Sequence, residues 1–138
     1  MARIEFGDIE ALMDDLRQLG EDTEEMALEI VTEQQDILYE AQQKTAERKL
    51  QGPYYAGGVK EGMTKKTPFS TGNGAEAHIT FEGMQHGSRI GEIAFINEYG
   101  KTNQPARHFI QMAIAQEEGN LERAAGKIVD KYLKKAGL

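Results

Sequence analysis

The sequence predicts an α+β fold: a small antiparallel sheet with a hairpin, packed against a long N-terminal helix and C-terminal helices. Apolar residues recur at helical spacing in the first and last thirds of the chain, and they alternate with polar residues at a spacing of two in the middle. The order is helices, then strands, then helices, without the strand–helix–strand alternation of a parallel sheet. A length of 138 residues suits one domain around a single core, so residues 1–138 are read as one unit.

Arg3 to Phe6 reads as a short strand that Gly7 stops. From Asp8, a suitable N-cap, Ile9, Leu12, Met13, Leu16 and Leu19 mark one helical face, and Gly20 ends it. A longer helix begins near Asp22 or Thr23, carries Met26, Ala27, Ile30, Ile37, Leu38 and Ala41 on its apolar side, and runs to about Leu50, before Gly52-Pro53. The turn-rich composition of residues 51–74 predicts a flexible Gly-rich loop, with a short strand around Val59 to Thr64. Ala77, Ile79 and Phe81 then alternate with His78, Thr80 and Glu82 as a strand, and Ser88 to Tyr99 is read as a second one, forming an antiparallel hairpin with the first. Both parities of the second run are apolar at Ile93-Ala94-Phe95-Ile96, so it is expected to be covered on both faces. Gly100 to Pro105 is a turn into a helix, with Thr102 or Asn103 as cap, Pro105 in the first turn, and Phe109, Ile110, Ala113 and Ile114 buried. After Gly119-Asn120 a last helix carries Leu121, Ala125, Ile128, Val129, Tyr132 and Leu133, with Lys131, Lys134 and Lys135 suited to its C-terminal dipole.

The net charge of −7 is unevenly spread: residues 1–50 carry −9, residues 51–104 carry 0 and residues 105–138 carry +2. An acidic first third repels phosphate, which disfavours nucleic-acid binding as the main activity and leaves the basic C-terminal end as the part able to lie near DNA. Head-to-tail charge complementarity between subunits is also expected from this layout. The absence of cysteine removes disulfides, thiol nucleophiles and cysteine-based metal sites. No apolar run is long enough for a leader or a membrane span, the longest being of the kind at Ile93 to Ile96.

Catalytic chemistry finds little purchase in this sequence. Gly72-Asn73-Gly74-Ala75-Glu76-Ala77 fits a dinucleotide fingerprint in spelling, but a strand follows it where the fingerprint needs a helix. His78, His86 and His108 lack ligand spacing, and Ser70 and Ser88 lack a nucleophile-elbow context, so no catalytic, cofactor or metal residues are assigned. The carboxylates Glu24, Glu25, Glu29, Glu33, Asp36 and Glu40 are read chiefly as the solvated face of the long helix.

The most informative segment is Ile93-Ala94-Phe95-Ile96-Asn97-Glu98-Tyr99-Gly100-Lys101-Thr102, followed by Pro105-Ala106-Arg107-His108-Phe109-Ile110 and Ala113. Glu98 ends an apolar run, and Arg107 is expected in the first turn of a helix, where the macrodipole disfavours a cation. A Glu98–Arg107 ion pair clamping the Gly100 turn follows from that pattern.

Here the chain resembles the tail-completion, or head–tail joining, proteins of long-tailed bacteriophages and prophages. The likeness rests on a Glu-Tyr-Gly-x-Thr segment and then Pro-Ala-x-x-Phe at a helix start, with a weaker match at Pro68-Phe69-Ser70-Thr71-Gly72. It departs where Gly74 replaces the family's Leu, where residues 51–67 look inserted, and where His108-Phe109 replaces Pro-Phe. The resemblance implies a non-enzymatic virion protein at the neck or upper tail, made in the host cytoplasm, with no cofactor and no membrane partner. Its implied partners are copies of itself in a ring, commonly a hexamer, the head connector or adaptor protein and the tail-tube protein, with DNA passing through the lumen without specific contact. Candidate subunit or partner contacts are Tyr54, Tyr55, Lys65, Lys66, Thr71, Gly72, Phe95, Glu98, Tyr99, Gly100, Arg107 and Phe109. The alternative is a small cytoplasmic ligand-binding or catalytic α+β domain that uses the Gly-rich loop around Thr71 and Gly72.

Overall fold

An uninterrupted run of helix-compatible residues between Thr23 and Lys49 forms one 27-residue helix, α1, with Glu24 and Glu25 in its first turn and Arg48 and Lys49 in its last, as the macrodipole favours. In a computed structural model, which describes residues 2–4, 23–50, 57–72 and 74–135, the order is β1 (Ala2–Ile4), α1 (Thr23–Lys49), α2 (Gly58–Gly62), β2 (Met63–Lys65), β3 (Phe69–Ser70), β4 (Ala75–Phe81), β5 (Met84–Gln85), β6 (Ser88–Arg89), α3 (Ile90–Tyr99) and α4 (Phe109–Lys135). The α+β class holds: a small antiparallel sheet packs against the long helix α1 and the C-terminal helix α4. The helix expected over Asp8 to Leu19 lies outside the described residues.

The sheet is built around β4. It pairs antiparallel with β1 (Ala2 opposite Ile79), with β2 (Met63 opposite Phe81) and, at its N-terminal end, with β3 (Phe69 opposite Glu76). The expected alternation of β4 is realised, with Ala77 and Ile79 fully buried. Gln35 of α1 ties helix to sheet, its side-chain amide donating to the carbonyls of Lys66 (2.7 Å) and His78 (2.9 Å).

Several expectations are corrected. The described part of the 51–74 segment, residues 57–72 and 74, is not one loop: Gly58–Gly62 is a turn of helix, pinned to α1 by Gln43 donating to the Lys60 carbonyl (2.9 Å), the short strand expected around Val59 to Thr64 is realised later, as Met63–Lys65, and Phe69–Ser70 is a further strand; residues 51–56 and 73 lie outside the described residues. Ser88 to Tyr99 is not a second long strand paired with β4. Only Ser88–Arg89 is extended, and it pairs with Met84–Gln85 across a two-residue turn in which His86 (φ 51°) and Gly87 (φ 79°) are both left-handed, the hairpin geometry that favours Gly. Ile90–Tyr99 is a helix, because Ile90, Ala94, Asn97 and Glu98 lie at helical spacing and are the buried positions. Both parities are apolar there because the run crosses two helical faces, an inner one with Ala94 buried and an outer one on which Phe95 is 61% exposed. The last two helices expected are one. α4 continues through Gly119 and Asn120, since the mid-helix cost of a glycine, about 1 kcal/mol, is outweighed by packing of the α4 face that buries Ala113, Leu121 and Tyr132.

The core has two parts. Phe109 lies among Leu38, Ala46, Leu50, Val59, Met63, Ile79, Ile90, Ala94 and Leu121, whereas Met26, Ala27, Ile30 and Tyr132 close the far end between α1 and α4. At that far end Glu29 pairs with Lys131 and accepts a hydrogen bond from the Tyr132 hydroxyl (2.8 Å). The basic end of α4 thus meets the acidic face of α1 inside one chain, which uses part of the complementarity expected between subunits. Lys131, and then Tyr132, hold the Glu29 carboxyl below its ordinary value of 4.5. A carboxyl depressed by folding contributes stability that is present above its unfolded value and is lost as the pH falls through the lower folded value. The melting temperature of the wild type should therefore fall more steeply on acidification from about pH 5 downward than that of Glu29→Gln, with the curves converging in strong acid. Parallel curves for the two proteins in a thermal titration would refute this latch.

Among the described residues, no helix is long and apolar enough to cross a membrane.

Candidate interaction site at the turn between α3 and α4

Helix α3 is short and two-sided. Its inner stripe is Ile90, Ala94, Asn97 and Glu98, and its outer stripe presents Glu92, Phe95 and Tyr99. The Phe95 and Tyr99 rings touch at 4.8 Å between centroids while remaining 61% and 67% exposed. Gly100 ends the helix, its N–H donating to the Ile96 carbonyl (2.7 Å). Lys101 and Gln104 then exchange two backbone hydrogen bonds (2.9 and 3.0 Å), closing a tight turn over Thr102 and Asn103. Neither of these residues caps a helix, and Pro105 precedes the helix rather than entering it, because α4 begins only at Phe109.

Asn97 and Glu98 hold this turn in place. The Asn97 carbonyl accepts the Arg107 N–H (2.7 Å), its side-chain oxygen accepts from the Gln104 amide (3.2 Å), and its own amide donates to the Ile93 carbonyl (2.9 Å). Glu98 is 4% exposed, and its two carboxylate oxygens accept the N–H groups of Ile110 (3.0 Å) and Gln111 (2.9 Å). These are first-turn amides of α4 that no intrahelical carbonyl can reach, so a carboxylate from twelve residues upstream replaces the local cap and also meets the positive end of the dipole.

The expected ion pair is thereby corrected. Glu98 meets the start of α4 rather than the Arg107 side chain, and Arg107 enters the lock through its backbone. Replacing Glu98 by Ala should cost about 3 kcal/mol, since two buried amides lose a charged acceptor, and Glu98→Gln about half of that. Arg107→Ala should stay within about 0.5 kcal/mol of wild type. Urea unfolding of the three variants checks the ranking, and an Arg107 effect equal to that of Glu98 would restore the ion-pair reading.

Phe109 is fully buried, edge-on to Phe81 at 6.0 Å, and its carbonyl accepts the Thr45 hydroxyl of α1 (2.8 Å). Phe109 and Glu98, which the sequence suggests as partner contacts, are therefore internal residues that hold the fold. Phe95 and Tyr99 are the surface aromatics of this segment, and Gly100 belongs to the lock beneath them.

The remaining candidates lie elsewhere. Lys65 pairs with Asp36 of α1 (2.9 Å), which raises its pKa, and it sits over the Tyr39 ring at 5.1 Å. Lys66 pairs with Glu82 and pulls that carboxyl below its ordinary range. Thr71 and Gly72 are exposed at the turn between β3 and β4, where the Gly72 N–H donates to the Ser70 hydroxyl (3.3 Å). Tyr54 and Tyr55 lie outside the described residues. His78, placed on a strand as expected, is 3.2 Å from Glu76 and stacks on Phe69 at 5.7 Å. Groups of three or more side chains suited to a metal ion do not occur among the described residues.

The aromatic ridge is what the strand reading of this segment missed. Its signal was present as the spacing of 92, 95 and 99 against that of 90, 94, 97 and 98, two stripes of a single helix. Compared with protein-family models, curated proteins and solved structures, the chain gives no match.

Proposed function

We propose that this chain is a structural virion protein that joins a phage tail to the head connector by assembling into a ring, with hexameric stoichiometry as the resemblance implies. The observation that carries this reading is the Glu98-Tyr99-Gly100 to Phe109 segment, the same residues on which the resemblance rests. They form a hydrogen-bonded turn with Glu98 and Phe109 held inside and Phe95 and Tyr99 presented outside. A ring subunit needs apolar surface beyond its own core on an element anchored to that core, and α3 supplies both, with Phe95 and Tyr99 outside and Ile90 and Ala94 buried. The exposed turn at Thr71 and Gly72 is a second contact region, available to the connector or to the tail-tube protein.

Deletion of the gene from an inducible phage or prophage tests the proposal. The expected result is separate DNA-filled heads and free tails by electron microscopy, with infectivity restored by the gene supplied in trans. Normal tailed, infectious particles from the deletion would overturn it.

A further inference from the structure

The outer stripe of α3 carries a charge layout that is complementary to itself. Glu92 stands near the N-terminal end and Lys101 just beyond the C-terminal end, both exposed and neither engaged by a side-chain hydrogen bond or ion pair within the described chain. Between them lie Phe95 and Tyr99, two of the most exposed large apolar side chains of the described residues. A groove of about 590 Å³ runs beside Phe95, lined by Phe81 and Gly91 and edged by Glu82, Arg89 and Glu92.

We propose that α3 is a self-association helix, packing antiparallel against α3 of a second copy of this chain across a twofold axis near residues 96 and 97. Reversing one helix about that centre brings Phe95 opposite Tyr99 of the second copy and Glu92 opposite its Lys101, and symmetry repeats each contact once. The groove beside Phe95 receives the Tyr99 ring of the second copy. In a parallel arrangement Glu92 would instead face Glu92, and Lys101 would face Lys101, so the charges select the antiparallel direction. The aromatic pairs supply the attachment, as buried aromatics at the centre of an interface do, while the rim ion pairs set direction and register. A twofold contact is isologous and closes on itself, so it holds a dimer whether or not the chain is a virion protein. In an assembling ring, it would shield the aromatic face until a neighbour replaced it.

Sedimentation velocity of the full chain over a concentration series tests the pairing. A dimer is expected, and the double variant Phe95→Ser/Tyr99→Ser should raise the dissociation constant at least about tenfold with an unchanged far-ultraviolet circular dichroism spectrum. Glu92→Lys and Lys101→Glu should each weaken the dimer roughly fivefold, and the two together should restore it, since the swap rebuilds both ion pairs. A wild type that stays monomeric, a dimer indifferent to the loss of both rings, or a charge swap no better than its single variants would each overturn the proposal. A monomeric chain whose deletion still separates heads from tails would overturn this pairing alone. A dimer together with normal tailed particles from the deletion would overturn only the virion reading.

Discussion

Phe109→Ala is expected to destabilise the protein by about 3–5 kcal/mol, the largest single-residue effect among the described residues. Phe109 is wholly buried in a cluster that draws on every layer of the structure: Leu38, Ala46 and Leu50 of α1 and its end, Val59 of α2, Met63 of β2, Ile79 of β4 and Ile90 and Ala94 of α3 share it, with Phe81 edge-on to the Phe109 ring. Those neighbours sit on separate elements held by backbone hydrogen bonds, so they cannot collapse into the vacated space without breaking them, and the cavity term remains close to its full size. The loss should also reach the start of α4, where the Phe109 carbonyl is held by Thr45 and the next two amides by Glu98. Against a total stability of about 5–15 kcal/mol for a domain of this kind, the variant should melt far below wild type or express poorly. Phe109→Leu, which keeps most of the volume, should recover much of the difference. Equal melting temperatures for Phe109→Ala and wild type would show that the residue is not the core of this fold.

The second large effect is expected at Gly100. Its φ of 81° and ψ of 177° belong to a region that only glycine occupies at little cost, so any side chain pays about 1–3 kcal/mol in backbone strain alone. Space is lacking as well. A Cβ at this position would approach the Ala106 nitrogen to 2.8 Å and the Gln104 carbonyl oxygen to 2.9 Å, both backbone atoms of the turn that leads to α4. Moving them pulls at the Arg107 to Asn97 hydrogen bond and withdraws the α4 amides from Glu98. Gly100→Ala should therefore cost about 3 kcal/mol or more, and amide exchange at Ile110 and Gln111 should speed up by a larger factor than exchange within β4. Uniform acceleration across the chain would mean that the turn does not act as a separate lock.

Helix α1 and strand β4 are legible in the sequence because each carries its own period over its whole length. Met26, Ala27, Ile30, Leu38 and Ala41 repeat at helical spacing with no breaker before Gly52, and Ala77 and Ile79 alternate with polar neighbours. The strand expected over α3 gives way to a helix, both of whose stripes carry apolar residues. Buried Ile90 and Ala94 and exposed Phe95 and Tyr99 together imitate a doubly covered strand, and a ten-residue segment is too short for periodicity to arbitrate. Gly119 was read as a break for a similar reason, because local propensity carries no information about the partner helix that overrides it. At the candidate site, the sequence singled out Glu98 and Arg107 as a pair, and charge alone made the ion pair the natural reading. Which donors reach a carboxylate depends on where the turn delivers the next helix.

The sequence by itself determined the α+β class, the long acidic helix, the central strand and the turn at Gly100, since each rests on patterns local to a few residues. Only the tertiary structure decided that Glu98 caps α4, that Phe109 is core rather than contact surface, and that Phe95 and Tyr99 form the exposed ridge. The physical reason is distance along the chain. A cap supplied from twelve residues away and a core drawn from most of the elements are set by long-range packing, and local patterns do not encode which face of a short helix that packing leaves outside.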